Sequence, residues 1–323
     1  MNYFGTYFDS NYLPRALCML NSLKLYCRFY KIYILCLDEI CLKRIQELEQ
    51  PNVIPMSLSN LETAITDLVP LKNKRSRIEY YYTCGPAFLC LLIEQNPEID
   101  VLTYLDADLC FFSDPQPLFD QFKGYSIGVI PHRMQEQKKE PWQGKYNVGW
   151  INFRRDTNGL ACLHWWRDRC IEWCYMRYED GKFGDQLYLD QWPKLFKGVY
   201  EYTNHGADVG AWNVRDYIFS LRNSQVYVDN NPLVFYHFHG FKKVTKNIYN
   251  PSLGFMSKPI SPILREHVFA KYIVCLEKYS EGNEPTASIS DYKPKFHIIK
   301  TVIRLVLSIL FRQYLIYYKG RVI

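Results

Sequence analysis

The sequence lacks a concentrated charge of either sign. Its 39 basic and 33 acidic side chains are mixed along 323 residues and leave a formal net charge of only +6. A dedicated nucleic-acid-binding protein usually carries a clustered basic field. The mixed charge therefore argues against nucleic acid as a partner.

The N-terminus, "MNYFGTYFDSNY", lacks a basic region followed by an apolar stretch, which would mark a secretory signal. The 11 cysteines are odd in number and include no CxxC pair. Both features favour a cytoplasmic chain with reduced thiols. Cys170 and Cys174 lie one helical turn apart behind His164, which would suit half of a zinc site but suits a buried helix face better.

The C-terminal tail lacks an uncharged run long enough to cross a bilayer. Its longest runs, Leu305 to Phe311 and Gln313 to Tyr318, are well under the ~18 residues of a spanning helix. In a helix, basic and polar residues recurring every four positions from Lys300 to Arg312 would form a narrow stripe beside a wide apolar face. We therefore predict that residues 297–323 form a basic amphipathic helix on an anionic membrane surface. The alternative is a helix docked on the protein's own core.

The rest of the chain has the composition of a globular protein, with 48% hydrophobic and 22% charged residues. Short β-rich runs alternate with amphipathic stretches, which predicts an α/β fold with a sheet covered by helices. The run "VLTYL" is nearly free of polar side chains and predicts a central strand. We expect a catalytic domain over 1–250. Residues 251–296 should form a proline-containing linker around one helix near Ile263 to Lys278.

Two aspartates follow the predicted central strand in "YLDADLCFF". Ligands of open α/β sheets bind beyond the carboxyl ends of the strands, where Asp106 and Asp108 should lie. Two carboxylates there offer oxygen ligands to Mg²⁺ or Mn²⁺. Taken alone, these residues favour the alternative of an acidic turn, in which the side chains accept from backbone amides.

A second candidate group lies in "HFHGFKK", which follows the apolar run "PLVFY". The imidazole of His237 can complete a divalent-metal site, and Gly240 lets the backbone approach a phosphate. Lys243 supplies a countercharge to that phosphate. All three roles suit a metal-bound pyrophosphate.

A third group lies in "GKFGDQLYLDQWP", where Asp185 and Gln186 stand at the entrance to a predicted helix. In glycosyl chemistry, such a carboxylate can face the anomeric carbon while the amide binds a sugar hydroxyl. Helix capping by Asp185 is an equally good interpretation of this motif alone.

Taken together, the motifs resemble those of GT-A glycosyltransferases, specifically the retaining family that includes glycogenin and bacterial lipooligosaccharide galactosyltransferases. That family is marked by DxD, an N-[AS]-G segment, a D-Q pair and HxxGxxK, in this order. The sequence has Asp106-Ala107-Asp108, Asn147-Val148-Gly149, Asp185-Gln186 and His237 to Lys243. The pattern covers roughly Met1 to Asn250.

The resemblance implies a role for each matching residue. Mn²⁺ or Mg²⁺ would be bound by Asp106, Asp108 and His237, and the diphosphate by Lys243 and the Gly240 backbone. Asp185 would lie near the anomeric carbon. The loop after the first strand, with Thr6, Asp9 and Tyr12, would receive the nucleotide base. Arg77 would lie against the phosphates or the sugar, and Asn147 and Gln186 would contact the sugar.

Two residues depart from the family pattern: Val148 replaces a small residue, and Leu187 stands where glycine is common. Both positions adjoin the implied sugar pocket, so the identity of the sugar stays open. The resemblance implies transfer of a hexosyl group, with retention, from a nucleoside diphosphate sugar such as UDP-galactose or UDP-glucose. The acceptor would be a saccharide, and a membrane-bound tail would favour a lipid-linked glycan or lipopolysaccharide.

Two other classes of protein remain open at this stage. One is a nucleotide-sugar-binding protein without turnover, which would use the same metal site as a sensor. The other is a zinc-binding interaction module built from His237, His239 and cysteines, although no cysteine lies near these histidines in the sequence.

Overall fold

The computed structural model describes residues 1–134, 140, 142–253, 260–280, 314–318 and 321–322. Within these ranges, no helix combines the length and the apolar character needed to cross a bilayer. Most of the predicted tail helix, residues 297–313, lies outside the described residues.

The strands and helices of the described ranges follow one another along the chain. The strands are β1 (Asn2–Phe8), β2 (Tyr30–Cys36), β3 (Val53–Ser57), β4 (Val101–Leu105), β5 (Leu109–Phe111), β6 (Ile127–Pro131), β7 (Tyr146–Arg154), β8 (Val199–Glu201), β9 (Val209–Gly210), β10 (Phe219–Arg222), β11 (Gln225–Val228), β12 (Asn231–Pro232), β13 (Phe235–His237), β14 (Lys242–Thr245), β15 (Ile248–Asn250), β16 (Leu315–Tyr318) and β17 (Arg321–Val322). The helices are α1 (Leu13–Tyr26), α2 (Glu39–Gln46), α3 (Leu58–Ala64), α4 (Arg77–Gln95), α5 (Gln116–Phe122), α6 (Thr157–Glu172), α7 (Trp192–Leu195), α8 (Pro262–Leu264) and α9 (Ala270–Tyr279).

These elements form two compact units, each discontinuous in sequence. Unit 1 comprises Met1–Leu13, Cys27–Ala107 and Pro115–Asn204, and unit 2 comprises Pro14–Tyr26, Asp108–Asp114 and His205–Ile323. The domain boundaries that we predicted at residues 250 and 296 divide the chain into consecutive segments. The observed division instead cuts the DxD motif, leaving Asp106 in unit 1 and Asp108 in unit 2.

Unit 1 is built on a seven-stranded mixed sheet with the order β3-β2-β1-β4-β7-β6-β8. Only β7 runs antiparallel to its neighbours among these seven strands. The predicted α/β class, with a mixed sheet flanked by helices, is confirmed, and β4 is the central strand as predicted. Because β7 is antiparallel, its first residues lie at the same edge of the sheet as the carboxyl ends of β1 and β4.

The long helices α4 and α6 of unit 1 begin at residues that cap them. At the start of α4, the Ser76 side chain accepts from the backbone of Glu79, whose carboxylate accepts from Ser76 in return. At the start of α6, Asp156 accepts from the backbone N–H of Gly159. Trp166 and Trp173 are buried, and Trp165 is half-buried against the same core. The sequence from Leu160 to Glu179 predicts one long helix, which is wrong at its end, because α6 ends at Glu172 and Trp173 is extended.

Unit 2 contains a three-stranded sheet with β13 in its centre, between β5 and β9. It also contains the meander β10-β11-β12 and the four-stranded sheet β14-β15-β16-β17. Its core combines aliphatic side chains with a group of aromatic rings, in which Phe238 and Tyr272 stack with their ring centroids 3.5 Å apart. The helix predicted near residues 263–278 is present as α8, a π-helical turn at Arg265–Phe269, and α9.

The end of the tail differs from the predicted helix. Residues Leu315–Tyr318 form strand β16, which pairs with β15. Leu315 is 1% exposed and packs in the core of unit 2. The run "LIYY" is rich in aromatic and β-branched residues, which favour a strand when a partner edge is at hand.

Candidate functional site

Asp106 and Asp185 are the two carboxylates of a tyrosine-lined cluster in unit 1. Asp106 directly follows β4, and its Oδ1 accepts a 2.6 Å hydrogen bond from the Tyr104 hydroxyl. Tyr7 lies beside Tyr104, with ring centroids 5.6 Å apart. A Cβ at Gly85 of α4 would lie 2.5 Å from the Tyr7 ring, so the glycine makes room for this tyrosine.

Asp185 is the more deeply buried carboxyl group of this cluster. Its side chain is buried, and its backbone oxygen accepts from the indole N–H of Trp166 at 2.9 Å. Burial, reinforced by the negative charge of Asp106, raises the pKa of Asp185 to about 7. A carboxyl group with this pKa can hold or release a proton near neutral pH.

The same two carboxylates act on the tyrosines around them. Burial, followed by the charges of Asp185 and Asp106, raises the pKa of Tyr7 and Tyr82 well above the usual range. These hydroxyls therefore stay protonated and can donate hydrogen bonds. The four motifs include none of the three tyrosines Tyr7, Tyr82 and Tyr104. Two of them had a visible signal, because Tyr104 lies just before the DxD motif and Tyr82 belongs to the tyrosine-rich run "EYYYT".

Asn147 and Gln186, the predicted sugar contacts, also lie in unit 1. Asn147 is at the start of β7, is 6% exposed, and accepts from the backbone N–H of Gly149 at 2.5 Å. Gln186 is half-buried and donates from Nε2 to the backbone oxygen of Gln143 at 2.9 Å. It forms the N-cap position of the 3₁₀ turn Leu187–Gln191, without a capping hydrogen bond from its side chain.

The residues predicted to receive the nucleotide base lie at and beyond the end of β1. Thr6 is inside the strand rather than in the loop that we predicted, and its buried hydroxyl has no hydrogen-bond partner among the described residues. Asp9 caps the following 3₁₀ turn by accepting from the backbone N–H of Asn11, and Tyr12 ends that turn. Arg77 is exposed in the first turn of α4.

In unit 2, Asp108 and His237 lie together with His239. The Asp108 Oδ1 atom is 3.1 Å from His237 Nε2, and both residues are buried. One ligand atom from each of the three side chains lies within 4.8 Å of the others. His239 is the exposed member, so the group is open to solvent on its side. We had connected His239 only with a structural zinc site, and no cysteine of the described residues belongs to this group.

Charges in this group favour an ionised Asp108. Burial by itself would raise its pKa, but His237, His239 and Arg15 outweigh burial and hold the pKa of Asp108 below its usual range. Loss of hydration among neighbouring atoms lowers the pKa of the His239 ring. A carboxylate beside a neutral imidazole is the form in which these side chains bind metals.

The donors fit a divalent cation. One carboxylate and two imidazoles within reach of one point suit Mn²⁺ better than Mg²⁺, which prefers oxygen ligands alone. Asp106, which we predicted to bind the same ion, is a member of unit 1, and its role as a ligand stays a prediction.

Lys243 and Gly240, the predicted diphosphate contacts, lie in unit 2 after β13. The Lys243 ammonium forms an ion pair with Glu277 of α9, which also accepts from the Tyr249 hydroxyl. Gly240 has φ of +71°, a conformation that favours glycine over other residues. Lys243 therefore has to exchange Glu277 for a phosphate if it is to bind one.

Comparison with solved structures gives weak overall similarity. The galactosyltransferase LgtC, in complex with donor and acceptor sugar analogues, has a TM-score of 0.48 at 16% identity, covering 74% of this chain and 87% of that one. Mouse xyloside xylosyltransferase 1 has a TM-score of 0.47 at 15% identity, covering 74% and 98%. No protein-family model matches the sequence.

Two Bacillus subtilis (strain 168) proteins are related to the chain in sequence. YfnD, an uncharacterised protein, is 29% identical over 252 residues, which cover 77% of this chain and 80% of YfnD. The uncharacterised protein YfnF is 37% identical over 246 residues, which cover 73% of this chain and 80% of YfnF. The chain therefore belongs to the same protein family as YfnF.

Proposed function

We propose that this protein is a metal-dependent glycosyltransferase that moves a hexosyl group from a nucleoside diphosphate sugar to a saccharide acceptor. The proximity of Asp108 to His237 carries the proposal, because these residues come from two motifs far apart in sequence. Asp108 Oδ1 and His237 Nε2 lie 3.1 Å apart, and two ligands of one metal should be close in this way. Four ordered motifs of retaining glycosyltransferases support it.

The metal ligands in this proposal are Asp108 and His237, with His239 as the solvent-facing third ligand. Asp106 is the further ligand that the motif implies. When bound, Mn²⁺ neutralises negative charge on the departing diphosphate. The side chains of the protein bring the donor to that point and hold it.

The donor would be bound by residues that precede and residues that follow the DxD motif in the sequence. Tyr12 would stack on the base beside Thr6 and Asp9, and Arg77 would face the phosphates. Lys243 would leave Glu277 and pair with the diphosphate, while the left-handed backbone at Gly240 would present an amide to it. UDP-galactose and UDP-glucose are the donors that we expect.

Asp185 would face the anomeric carbon, with Asn147 and Gln186 on the sugar hydroxyls. Retention can proceed through attack by the Asp185 carboxylate or by attack of the acceptor from the front face. We favour the front-face route, in which the departing phosphate takes the proton of the acceptor hydroxyl. A neutral Asp185 would then donate a hydrogen bond to the sugar.

The acceptor in this proposal is a lipid-linked saccharide, such as a surface glycan or lipopolysaccharide precursor, at the cytoplasmic face of a membrane. The basic, apolar composition of the tail supports it. The proposed transfer reaction does not depend on this choice of acceptor.

A panel of nucleotide sugars tests the donor assignment. We expect UDP-galactose or UDP-glucose with Mn²⁺ to raise the unfolding midpoint, because ligand at 100 times its Kd adds about 2.7 kcal/mol to stability. Mg²⁺ should give a smaller rise, and the stabilising donor should release UDP on incubation. No stabilisation by any nucleotide sugar would contradict the proposal, and stabilisation without UDP release would indicate a binding protein without turnover.

Charge reversal in the tail tests the membrane assignment. Lys300→Glu combined with Arg304→Glu should weaken binding to vesicles containing phosphatidylserine by about tenfold or more, since each basic residue near such a surface contributes about 1 kcal/mol. Co-sedimentation measures the binding, with neutral phosphatidylcholine vesicles as the control. Equal sedimentation of the wild-type protein with both kinds of vesicle would exclude the electrostatic attraction.

A further inference from the structure

Asp208 is a buried carboxylate that belongs to none of the four motifs. Its side chain is 0% exposed, and its Oδ1 atom lies 3.2 Å from His237 Nδ1. The second oxygen, Oδ2, is buried with no hydrogen-bond partner among the described residues. Burying a carboxylate is costly, so a residue of this kind usually serves a paired group. The group paired with Asp208 is the imidazole of His237.

The small sheet of unit 2 places one carboxylate on each side of that imidazole. His237 is the last residue of the central strand β13, where it is paired with Leu109 of β5 and Gly210 of β9. Asp108 immediately precedes β5, and Asp208 immediately precedes β9. Backbone pairing therefore brings Asp108 to Nε2 and Asp208 to Nδ1.

The loop that carries Asp208 is held by Asn213, which is fully buried. The Asn213 side chain donates to the backbone oxygen of Asp208 at 3.0 Å and accepts from the backbone N–H of Gly210 at 3.0 Å. Trp212, in the same loop, packs its ring edge-to-face against His237 at 5.1 Å. The position of Asp208 is thus set by its own loop as well as by the sheet.

A carboxylate at Nδ1 decides which nitrogen of an imidazole is available to a metal. When Nδ1–H donates to the carboxylate, the lone pair of Nε2 points away from it, and the ring orientation is fixed. In His237 the Nε2 atom faces Asp108, its partner in the proposed cation site, at 3.1 Å. We propose that Asp208 is a positioning residue that holds the Nδ1–H tautomer of His237, so that Nε2 binds the divalent cation. This inference rests on the metal dependence of the proposed function.

The same unit offers a matched pair without a metal role. Asp229 lies 2.7 Å from His205 Nδ1, and both side chains are partly exposed. Asp208 and Asp229 also share the left-handed backbone conformation, with φ of +58° and +53°. Asparagine tolerates this conformation well, so Asp→Asn at either position removes the charge with little backbone strain.

The experiment compares Mn²⁺ binding by the wild-type protein, Asp208→Asn and Asp229→Asn in isothermal titration. We expect Asp208→Asn to weaken Mn²⁺ binding about 10- to 100-fold, as the loss of such an orienting partner usually does. Asp229→Asn should bind within about twofold of the wild type, because its histidine is not a ligand. Equal affinity of the wild type and Asp208→Asn would overturn the proposal.

A spectroscopic measurement on the wild type does not depend on the folding of any variant. In the Co²⁺-substituted protein, a His237 ligated through Nε2 should give a strongly shifted, slowly exchanging Nδ1–H proton signal. His239 is exposed, so its ring N–H should exchange faster with water. Absence of a slowly exchanging imidazole signal would overturn the assignment, even if Asp208→Asn failed to fold.

The outcomes also separate this inference from the proposed function. A wild-type protein that binds no divalent metal would overturn both. A protein that binds Mn²⁺ and responds to Asp208→Asn as expected, but releases no UDP from any sugar donor, would support the positioning role and contradict glycosyl transfer. A fully active enzyme whose Mn²⁺ affinity is unchanged in Asp208→Asn would contradict the positioning role alone.

Discussion

Replacing Asp108 with asparagine is expected to lower metal-dependent glycosyl transfer about 1,000-fold or more. The change removes the one carboxylate of the group formed with His237 and His239. A neutral amide neutralises no charge on a divalent cation, so this group would offer the cation only two neutral imidazoles and an amide. Because a bound cation stabilises the departing diphosphate by several kcal/mol, its loss corresponds to about three orders of magnitude in rate.

The measurement is the rate of UDP release and of transfer to acceptor across a range of Mn²⁺ concentrations. Asp114→Asn, at an exposed aspartate of the same segment, is the control and should retain wild-type activity. Stability needs to be checked alongside, since Asp108 also lies beside the buried imidazole of His237 and the substitution removes its negative charge there. A folded Asp108→Asn protein with more than a tenth of wild-type activity would contradict the assignment of the metal site.

The second large effect concerns stability. Asp185→Asn is expected to make the protein more stable than the wild type at pH 8, by about 2–4 kcal/mol. The reason is the pKa of Asp185, which burial and the charge of Asp106 raise from an ordinary 3.8 to about 7. At pH 8 the wild-type protein must hold an ionised carboxylate in a buried position beside a second one.

The sign of this effect follows from proton binding. Between pH 4 and pH 7 the folded protein holds a proton on Asp185 that the unfolded chain has released, so its stability falls as pH rises through this window. Asparagine does not titrate, so the variant loses this dependence. The two proteins should therefore have nearly equal stability at pH 4 and diverge up to pH 8.

Denaturant unfolding of the metal-free protein at several pH values measures the difference. Asp180→Asn, an exposed aspartate in the same loop, is the control and should follow the wild type at every pH. Parallel curves for the wild type and Asp185→Asn would show that Asp185 is not held in a raised-pKa state. The same variant tests the chemistry, because nearly intact transfer by Asp185→Asn would exclude a nucleophilic carboxylate at this position.

Much of unit 1 could be predicted from the sequence, because the hydrophobic pattern of each short segment indicates whether it forms a helix or a strand. The run "LPRALCMLNSLKLY" coincides with α1, and the apolar run before Asp106 is the central strand β4. These patterns depend on the burial of a face or of a whole strand, which neighbouring residues encode. The strand that departs from the parallel direction, β7, could not be recognised as antiparallel, since pairing direction leaves no mark on a buried apolar run.

Residues of the candidate site could be predicted only where they belong to a recognisable sequence motif. The spacing of "HFHGFKK" identified His237, but it gave His239 no part in the predicted Mn²⁺ or Mg²⁺ site. Asp208 stands in "GADVGAWNV", a stretch that matched no motif. Its meeting with His237 depends on the pairing of β9 with β13, and β9 is only two residues long. A strand this short has no periodicity that could reveal it.

The strand order of unit 2 also constrains how the protein folds. The sheet β5-β13-β9 joins segments that lie far apart in the chain, with nearly all of the second half of unit 1 between β5 and β9. Closing such long loops reduces the entropy of the chain before the strand contacts that stabilise the sheet have formed, and this slows the formation of non-local sheets. During synthesis, β5 leaves the ribosome long before β13 exists to pair with it. The proposed cation site is therefore assembled late, and a chain stopped before Phe235 contains no part of the central strand β13.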